Sequence, residues 1–318
     1  MAANWMRRTV LVAACASAAL LAACGSSTTD SAITPTRFIA FGDANSDVGQ
    51  NGSRYTVNDG SVNNWTLQVA ANYGKPLTAA SAGGTSYAVG NARIQAKPDA
   101  AGKASTLTIT EQIDRFLASG GSFGASDVVL MSGGMSDVIA GTAAVQAGTQ
   151  TEAAMVTASR QAGEDMAAQV KRLVNAGAKY VVLTGTYDLS KTPWAKSIGR
   201  ESLLTNASSR FNEGLLVGIV DLGANVLYVD SAYYVNLYTS SPGSYGFENA
   251  TTAVCTSVDA TNGIGIGAGQ VNSALCNTST LLSGANQDKY TFADSVYLSP
   301  SAQRQFGTYA YDRLRARW

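Results

Sequence analysis

The chain has 318 residues and no histidine; its 22 Lys and Arg balance 22 Asp and Glu, with 14% of residues charged and 46% hydrophobic. Such a composition suits one large or two ordinary folded domains and excludes disorder, while the balanced charge leaves no electrostatic footprint for nucleic acid. Without histidine the chain alone cannot build a Ser-His-Asp or Cys-His site, a histidine metal ligand or an imidazole pH switch.

Residues 1–23 read as a targeting segment, with Arg7 and Arg8 ahead of an apolar run over 10–23 that is short for a bilayer span. That run ends Leu21-Ala22-Ala23-Cys24 and resembles the lipobox of bacterial lipoproteins, in which the cysteine thiol takes a diacylglyceryl group. Several acyl chains, at roughly 0.8 kcal/mol per buried CH₂, anchor stably. The resemblance implies a cell-envelope protein held by lipid on Cys24, and Gly25 at the next position favours the outer membrane. Residues 24–35 are then the lipidated cysteine and a flexible polar tether, and residues 36–318 the folded domain. Two cysteines, Cys255 and Cys276, remain in that domain. In an oxidising compartment they are expected to pair, and two isolated cysteines do not make a metal site.

Past the tether, compact apolar runs at 38–41, 128–131, 180–183 and 226–229 have the character of buried strands. Between the second and third, residues 151–176 place Met155, Ala158, Ala162, Met166, Val170 and Leu173 at helical spacing, with Gly177 to close the helix. Residues 201–222 and 302–315 are further helix candidates, the last opened by Ser299 as N-cap and Pro300 at the first helical position. Alternating strands and helices with doubly buried strands predict a parallel α/β sandwich, whose functional groups gather beyond the carboxyl ends of the strands. Residues 233–288 break the alternation. The glycine-rich stretch Gly263-Ile264-Gly265-Ile266-Gly267-Ala268-Gly269 follows no predicted strand and opens no helix, so it reads as a flexible surface loop and not a phosphate cradle. Tyr233, Tyr234, Tyr238 and Tyr245 are expected to pack that segment onto the sheet, in preference to forming a carbohydrate or lipid surface.

Four motifs lie in order along the domain: Phe41-Gly42-Asp43-Ala44-Asn45-Ser46-Asp47-Val48-Gly49, Ser86-Tyr87-Ala88-Val89-Gly90-Asn91-Ala92-Arg93, Gly134-Met135-Ser136-Asp137 and Phe292-Ala293-Asp294-Ser295-Val296-Tyr297. Together they resemble the GDSL (SGNH) family of esterases and lipases. The corresponding family blocks read Phe-Gly-Asp-Ser-Leu-Ser-Asp, Asn-Tyr-Ala-x-Gly-Gly-Ala, Gly-x-Asn-Asp and Phe-Ala-Asp-x-x-His. Lys191-Thr192-Pro193, Phe211-Asn212 and Tyr245-Gly246-Phe247-Glu248-Asn249 add to the likeness. The resemblance implies a flavodoxin-like three-layer α/β/α sandwich with a parallel sheet and no cofactor.

It also implies roles, position by position. The family's serine attacks an ester carbonyl, its histidine takes the proton, an aspartate orients the imidazole, and a glycine N–H and an asparagine amide meet the oxyanion. Here the nucleophile position is Ala44, the oxyanion glycine position Asn91, the oxyanion asparagine position Ser136 and the base position Tyr297; Asp294 is the triad aspartate retained. A phenol, with its ordinary pKa near 10, is a poor base at neutral pH. Loss of a triad costs about six orders of magnitude in turnover, and a lost oxyanion donor another hundred- to thousand-fold.

The expected function is therefore a GDSL-like envelope lipoprotein that is non-catalytic and binds an acyl, ester or glycan-like ligand, or a protein, in the inherited cleft. Two alternatives stand beside it. One is a carboxylic-ester hydrolase with rearranged machinery, drawing on Ser46 and on Asp43, Asp47, Asp137 or Asp294 as base. The other is a purely structural envelope protein whose cleft is closed. Asp43 and Asp47 are expected to hold a strand-to-helix turn through backbone N–H groups, Ser46 to sit near the start of that helix, and the Tyr297 hydroxyl to bond Asp294 or Ser136.

Overall fold

The computed structural model describes residues 32–318; the targeting segment, Cys24 and most of the tether lie outside the described residues. In chain order the main elements are β1 (Arg37–Phe41), α1 (Trp65–Asn72), α2 (Ile109–Ala118), β2 (Asp127–Ser132), α3 (Met135–Gln146), α4 (Glu152–Asn175) and β3 (Tyr180–Thr184). There follow α5 (Pro193–Ile198), α6 (Glu201–Gly218), β4 (Val226–Tyr228), α7 (Ser231–Ser240), β5 (Asn249–Ala253), β6 (Val258–Asp259), β7 (Gln270–Val271), β8 (Tyr290–Phe292) and α8 (Pro300–Arg317).

The four apolar runs become β1 to β4, a parallel sheet in the order β1-β2-β3-β4. On the free side of β1, Ala40 bridges in parallel to Ser86, which begins the second motif. Successive strand residues point to opposite faces, so the sheet supplies two cores. Ile39, Phe41, Val129, Met131, Val181 and Leu183 pack with α2, α4 and α6 on one face. Phe38, Ala40, Val128, Leu130 and Val182 pack with α1 and α8 on the other. Both faces are covered, which is why these strands are apolar throughout instead of alternating. The expected three-layer α/β/α sandwich is what the chain forms.

The long helix α4 starts on Thr151, whose side chain accepts from the Ala154 N–H, and Gly177 follows its end with φ 103°. Its inner face differs from the expected one at a single turn: Ser159 is buried and Ala158 exposed, because Ser159 returns its hydroxyl to the Met155 carbonyl. Gly163 and Gly214 let α4 and α6 cross closely; a Cβ on Gly163 would lie 2.0 Å from the Phe211 carbonyl oxygen. α6 ends at Gly218, short of 222. α8 opens as expected, with Ser299 accepting from Ala302 and Pro300 in the first turn.

A third apolar cluster sits beyond the carboxyl ends of the strands and contains Ala44, Met135, Ile139, Tyr187, Trp194, Ile264, Phe292 and Tyr297. Segment 249–298 builds its roof. Cys255 and Cys276 form the expected disulfide, with Cα atoms 5.9 Å apart. Tyr234, Tyr238 and Tyr245 join an aromatic cluster with Phe247, Phe306 and Tyr309, and so pack as expected, whereas Tyr233 stays exposed. Among the described residues no helix is long and apolar enough to cross a membrane.

Candidate functional site

The site is assembled where β1 and β2 end. Gly42 takes φ 152°, and a Cβ there would stand 2.6 Å from the Ser132 carbonyl oxygen, so only glycine fits between the strands. The Gln112 side chain grips this residue from both sides, accepting from the Gly42 N–H and donating to its carbonyl, both at 2.9 Å. Ala44 follows in a tight turn, 1% exposed. No helix begins there: the chain turns over residues 44–46 and reaches α1 only at Trp65, which corrects the expectation of a strand-to-helix turn. Ser46 is instead a buried tie. Its Oγ lies 2.7 Å from Ser132 Oγ and accepts the Trp65 indole N–H at 3.1 Å, while Ser132 Oγ reaches Asp43 Oδ1 at 3.4 Å.

The two aspartates of this motif do bind backbone N–H groups. Asp43 Oδ1 accepts from Asn45, and Asp47 Oδ1 accepts from Gly49 and Gln50. Asp47 Oδ2 accepts from Gly90 at 2.8 Å, which fastens the first motif to the second. Burial pushes the Asp43 carboxyl up to about 6, helped by the nearby Asp137 charge and opposed by the Asn45 N–H. Burial also raises Asp47.

Asn91 is the one non-glycine residue with positive φ among the described residues, at 63°. It holds the left-handed conformation that a glycine would take without strain, and asparagine tolerates it better than most residues. Its amide donates to the Gly263 carbonyl at 2.8 Å, and the Tyr55 hydroxyl lies 3.4 Å away. Gly90 beside it has no room for a side chain, since the Tyr55 ring lies 2.0 Å from where its Cβ would be.

Ser136 stands in the first turn of α3, fully buried, with its Oγ lacking a hydrogen-bond partner among the described residues. Asp137 bonds the Ile94 N–H at 3.0 Å and the Arg93 guanidinium at 3.2 Å, tying the third motif to the second. Burial nonetheless lifts its pKa, with Arg93 pulling it back.

Asp294 is buried and faces backbone: Oδ1 accepts from Val296 and Tyr297, both at 2.7 Å, and Oδ2 accepts from Ser273 at 3.0 Å. Burial raises it against those three bonds. Tyr297 is buried too, its ring edge-on to Tyr55 at 5.3 Å between centroids. The expected bond from its hydroxyl to Asp294 or Ser136 is not made, and the hydroxyl has no partner among the described residues. The Asp294 oxygens accept instead from the N–H groups of their own turn and of Ser273. Burial lifts the phenol well above its ordinary pKa, so it stays protonated and cannot act as a base.

The glycine-rich stretch corrects a second expectation. Only its outer half, Gly267 to Gly269, is surface loop; Ile264 is 2% exposed and belongs to the apolar cluster of Ala44, Ile139 and Tyr297. Gly265 has φ 84°, and a Cβ on it would lie 2.6 Å from the Ala100 carbonyl and 2.8 Å from the Ile139 side chain. Glycines here allow the backbone to press into the site. The five positions Ala44, Asn91, Ser136, Asp294 and Tyr297 are thus brought to one end of the sheet, and each is at most 3% exposed. A cavity of about 290 Å³ lies beside them, lined by Arg93, Ile94, Asp137, Met155 and Asp165 among others. A groove of about 610 Å³ runs past Asp188, Asn212, Tyr228 and Asp230. None of the five positions lines either. Sequence reasoning missed Ile264, Tyr55, Gln112 and Ser132. Only Ser132 had a signal, as the polar residue directly after the second apolar run.

Comparison with known proteins fits this arrangement. The model of the GDSL-like Lipase/Acylhydrolase family matches residues 38–309. A GDSL esterase/lipase of Arabidopsis thaliana is 27% identical over 159 residues, covering 46% of this chain and 41% of that protein. An uncharacterized protein in the trpE-trpG intergenic region of Pseudomonas putida is 25% identical, with 49% of this chain and 25% of that protein covered. The chain thus aligns with less than half the length of either curated relative. A solved structure at 14% identity covers 89% of this chain and 98% of its own with a TM-score of 0.46. With the family model spanning the sheet and all four motifs at its carboxyl end, the chain belongs to the GDSL-like lipase/acylhydrolase family.

Proposed function

We propose that this chain is a non-catalytic GDSL-family lipoprotein of the bacterial cell envelope whose ancestral ester-binding cleft is filled by its own residues. The observation that carries the reading is the apolar cluster holding Ala44, Ile264 and Tyr297 together where a serine, a substrate and a histidine would meet. A hydrolytic site needs a nucleophile within reach of a base and a solvent-accessible place for the carbonyl. Here the first position has no hydroxyl, the second carries a buried phenol, and Ile264, 2% exposed, belongs to the same apolar cluster as both. An acyl, ester or glycan-like ligand would enter this cleft only after segment 262–266 withdrew. That favours a closed, structural body over a cleft-based binder, with any protein partner meeting the outer surface.

A rearranged esterase is the second reading, and one observation favours it: the chain Ser46–Ser132–Asp43 ends on a carboxyl whose pKa of about 6 suits a general base. It ranks second because Ser46 and Ser132 are buried and Ser46 already accepts the Trp65 indole N–H. The test is paired. The natural protein is expected to hydrolyse neither short- nor long-chain esters above buffer and to take no fluorophosphonate adduct by intact mass. Turnover that disappears in Ser46→Ala would overturn the proposal. The combined Ala44→Ser, Ser136→Asn, Tyr297→His protein is expected to stay inactive while folded, because segment 262–266 still fills the cleft; activity in it would show an open cleft and overturn the filled-cleft part of the proposal.

A further inference from the structure

Beside the second motif the chain builds a groove that neither the filled site nor its roof uses. Part of its lining comes from the turn over 99–107. Asp99, 5% exposed, closes that turn three ways. Its N–H donates to the Lys103 carbonyl, its Oδ1 accepts from the Lys103 N–H at 2.7 Å, and its Oδ2 accepts from the Thr106 hydroxyl at 2.6 Å. The turn runs into α2 through the Thr108–Glu111 capping box, and Arg115 stands in the last turn of that helix. Another part is Gln50, whose Oε1 accepts from the Ser81 N–H and whose carbonyl accepts from the Ser81 hydroxyl. These segments enclose about 480 Å³, with Val89 and Leu107 as the apolar lining.

Charge in this groove is of one sign. Lys103 and Arg115 line it and no Asp or Glu does. Neither side chain forms a hydrogen bond or an ion pair with another described residue. The neighbouring acids are engaged, Asp99 within its own turn, Glu111 by Lys97 and Asp114 by Arg172. Asp259 feels the Lys103 charge but bonds Thr261 and Asn272. A base in the last turn of a helix suits the helix dipole, which accounts for Arg115 taken alone and not for Lys103 in the same groove. The Asn51 amide and the Ser105 hydroxyl line it too, and they are likewise unbonded to other described residues.

A guanidinium and an ammonium on one groove suit a phosphate, the first as a fork of N–H donors and the second as a point charge. An amide, a hydroxyl and a small apolar surface beside them suit the hydroxyls and the C–H face of a sugar, and the volume is that of a small-molecule site. We infer that this groove binds a phosphorylated sugar, with Lys103 and Arg115 on the phosphate and Asn51 and Ser105 on the sugar hydroxyls. The binding draws nothing from the filled site and stands apart from the lipoprotein reading.

The test titrates glucose 1-phosphate into the full chain at low salt, followed by calorimetry and by amide chemical shifts. A Kd of about 1 mM or tighter is expected, with saturable shifts at Asn51, Lys103, Ser105 and Arg115. Glucose is expected not to bind, and inorganic phosphate to bind at least about fivefold more weakly, for want of the sugar's hydrogen bonds. Combining Lys103→Glu with Arg115→Glu is expected to weaken binding at least about tenfold, as is high salt. Ser105→Trp, which fills the groove and leaves its charge alone, is expected to do the same. Lys179→Glu with Lys196→Glu makes an equal charge change elsewhere and is expected to leave binding unaltered. All of these side chains are outside the core, and unchanged near-ultraviolet dichroism checks that each variant folds. No saturable shift at the groove by about 10 mM ligand would overturn the inference. So would phosphate binding as tightly as the sugar phosphate, full binding in the Lys103 and Arg115 variant or in Ser105→Trp, or an equal loss in the Lys179 and Lys196 control.

Discussion

The sheet and the roof over its carboxyl end are stabilised in different ways. Strands β1 to β3 contribute apolar side chains that are almost all fully buried between two helix layers, so the sheet rests on area removed from water. Segment 249–298 has strands of two to five residues and turns closed by side chains: Asn249 accepts from Thr251, Asp259 from Thr261, Asn272 from Ala274, Asn277 from Ser279 and Asn286 from Asp288. A disulfide closes it covalently. The sheet yields to lost volume, then, and the roof to lost bonds.

The sharpest way to break that contrast is Phe211→Ala, which empties the layer where α6 meets Gly134 and the sheet. It is expected to cost about 3–5 kcal/mol in a denaturant melt and to destabilise the whole molecule. Replacing Cys255 and Cys276 by serine is expected to cost about 3 kcal/mol, from a loop with sequence separation 21. Its signature should be local, with faster amide exchange over 256–275 and unchanged far-ultraviolet dichroism. A global loss of structure would show that sheet and roof form a single cooperative unit.

Asp43 sharpens the comparison at their junction. Folded Asp43 keeps its proton up to about pH 6, whereas an unfolded aspartate releases it near 3.8. Its stabilising contribution is therefore full below about pH 4 and is lost as pH rises through 6. Relative to Asp43→Asn, the natural protein is expected to lose about 2–3 kcal/mol between pH 4 and pH 7.5. Parallel stability profiles for the two proteins would contradict this.

The smallest effects belong to Tyr297→Phe and Ser136→Ala. Each removes a buried hydroxyl that has no partner among the described residues, so each should be neutral or stabilising by about 1 kcal/mol. A loss of 2 kcal/mol or more in either would mean that the hydroxyl has a role in the folded protein after all.

Most of the scaffold was legible from local signals. The apolar runs marked β1 to β4, and Ser299-Pro300 marked the start of α8, because burial on two faces and helix capping are written into neighbouring residues. Helices α1 and α3 gave little warning. α1 has eight residues and α3 opens on Gly134 without a capping side chain, so neither carries a strong periodic face. The identity of the site positions could be read from the four motifs, but their surroundings could not. The glycines at 263–269 look like loop residues in sequence. Their inward course depends on contacts with Ala100, Ile139 and Asn91, more than a hundred positions away. The Tyr297 hydroxyl misled for a related reason, since the bonds of Asp294 to Ser273 and its own turn are set by tertiary packing.

Asn91 joins two events that could have been separate. As the one non-glycine residue with positive φ among the described residues it preserves the backbone path of the second motif, and through its amide it fastens Gly263 and the segment that follows it. Under the proposed history, one codon then kept the backbone N–H of an oxyanion position, crowded the approach to it with a side chain and supplied the latch for the segment over it. Reversion at the nucleophile alone would meet a closed room, so drift back toward hydrolysis requires coordinated change on two segments far apart in the chain. Such an arrangement behaves as a ratchet: each accommodating substitution around the filled cleft makes the return path longer.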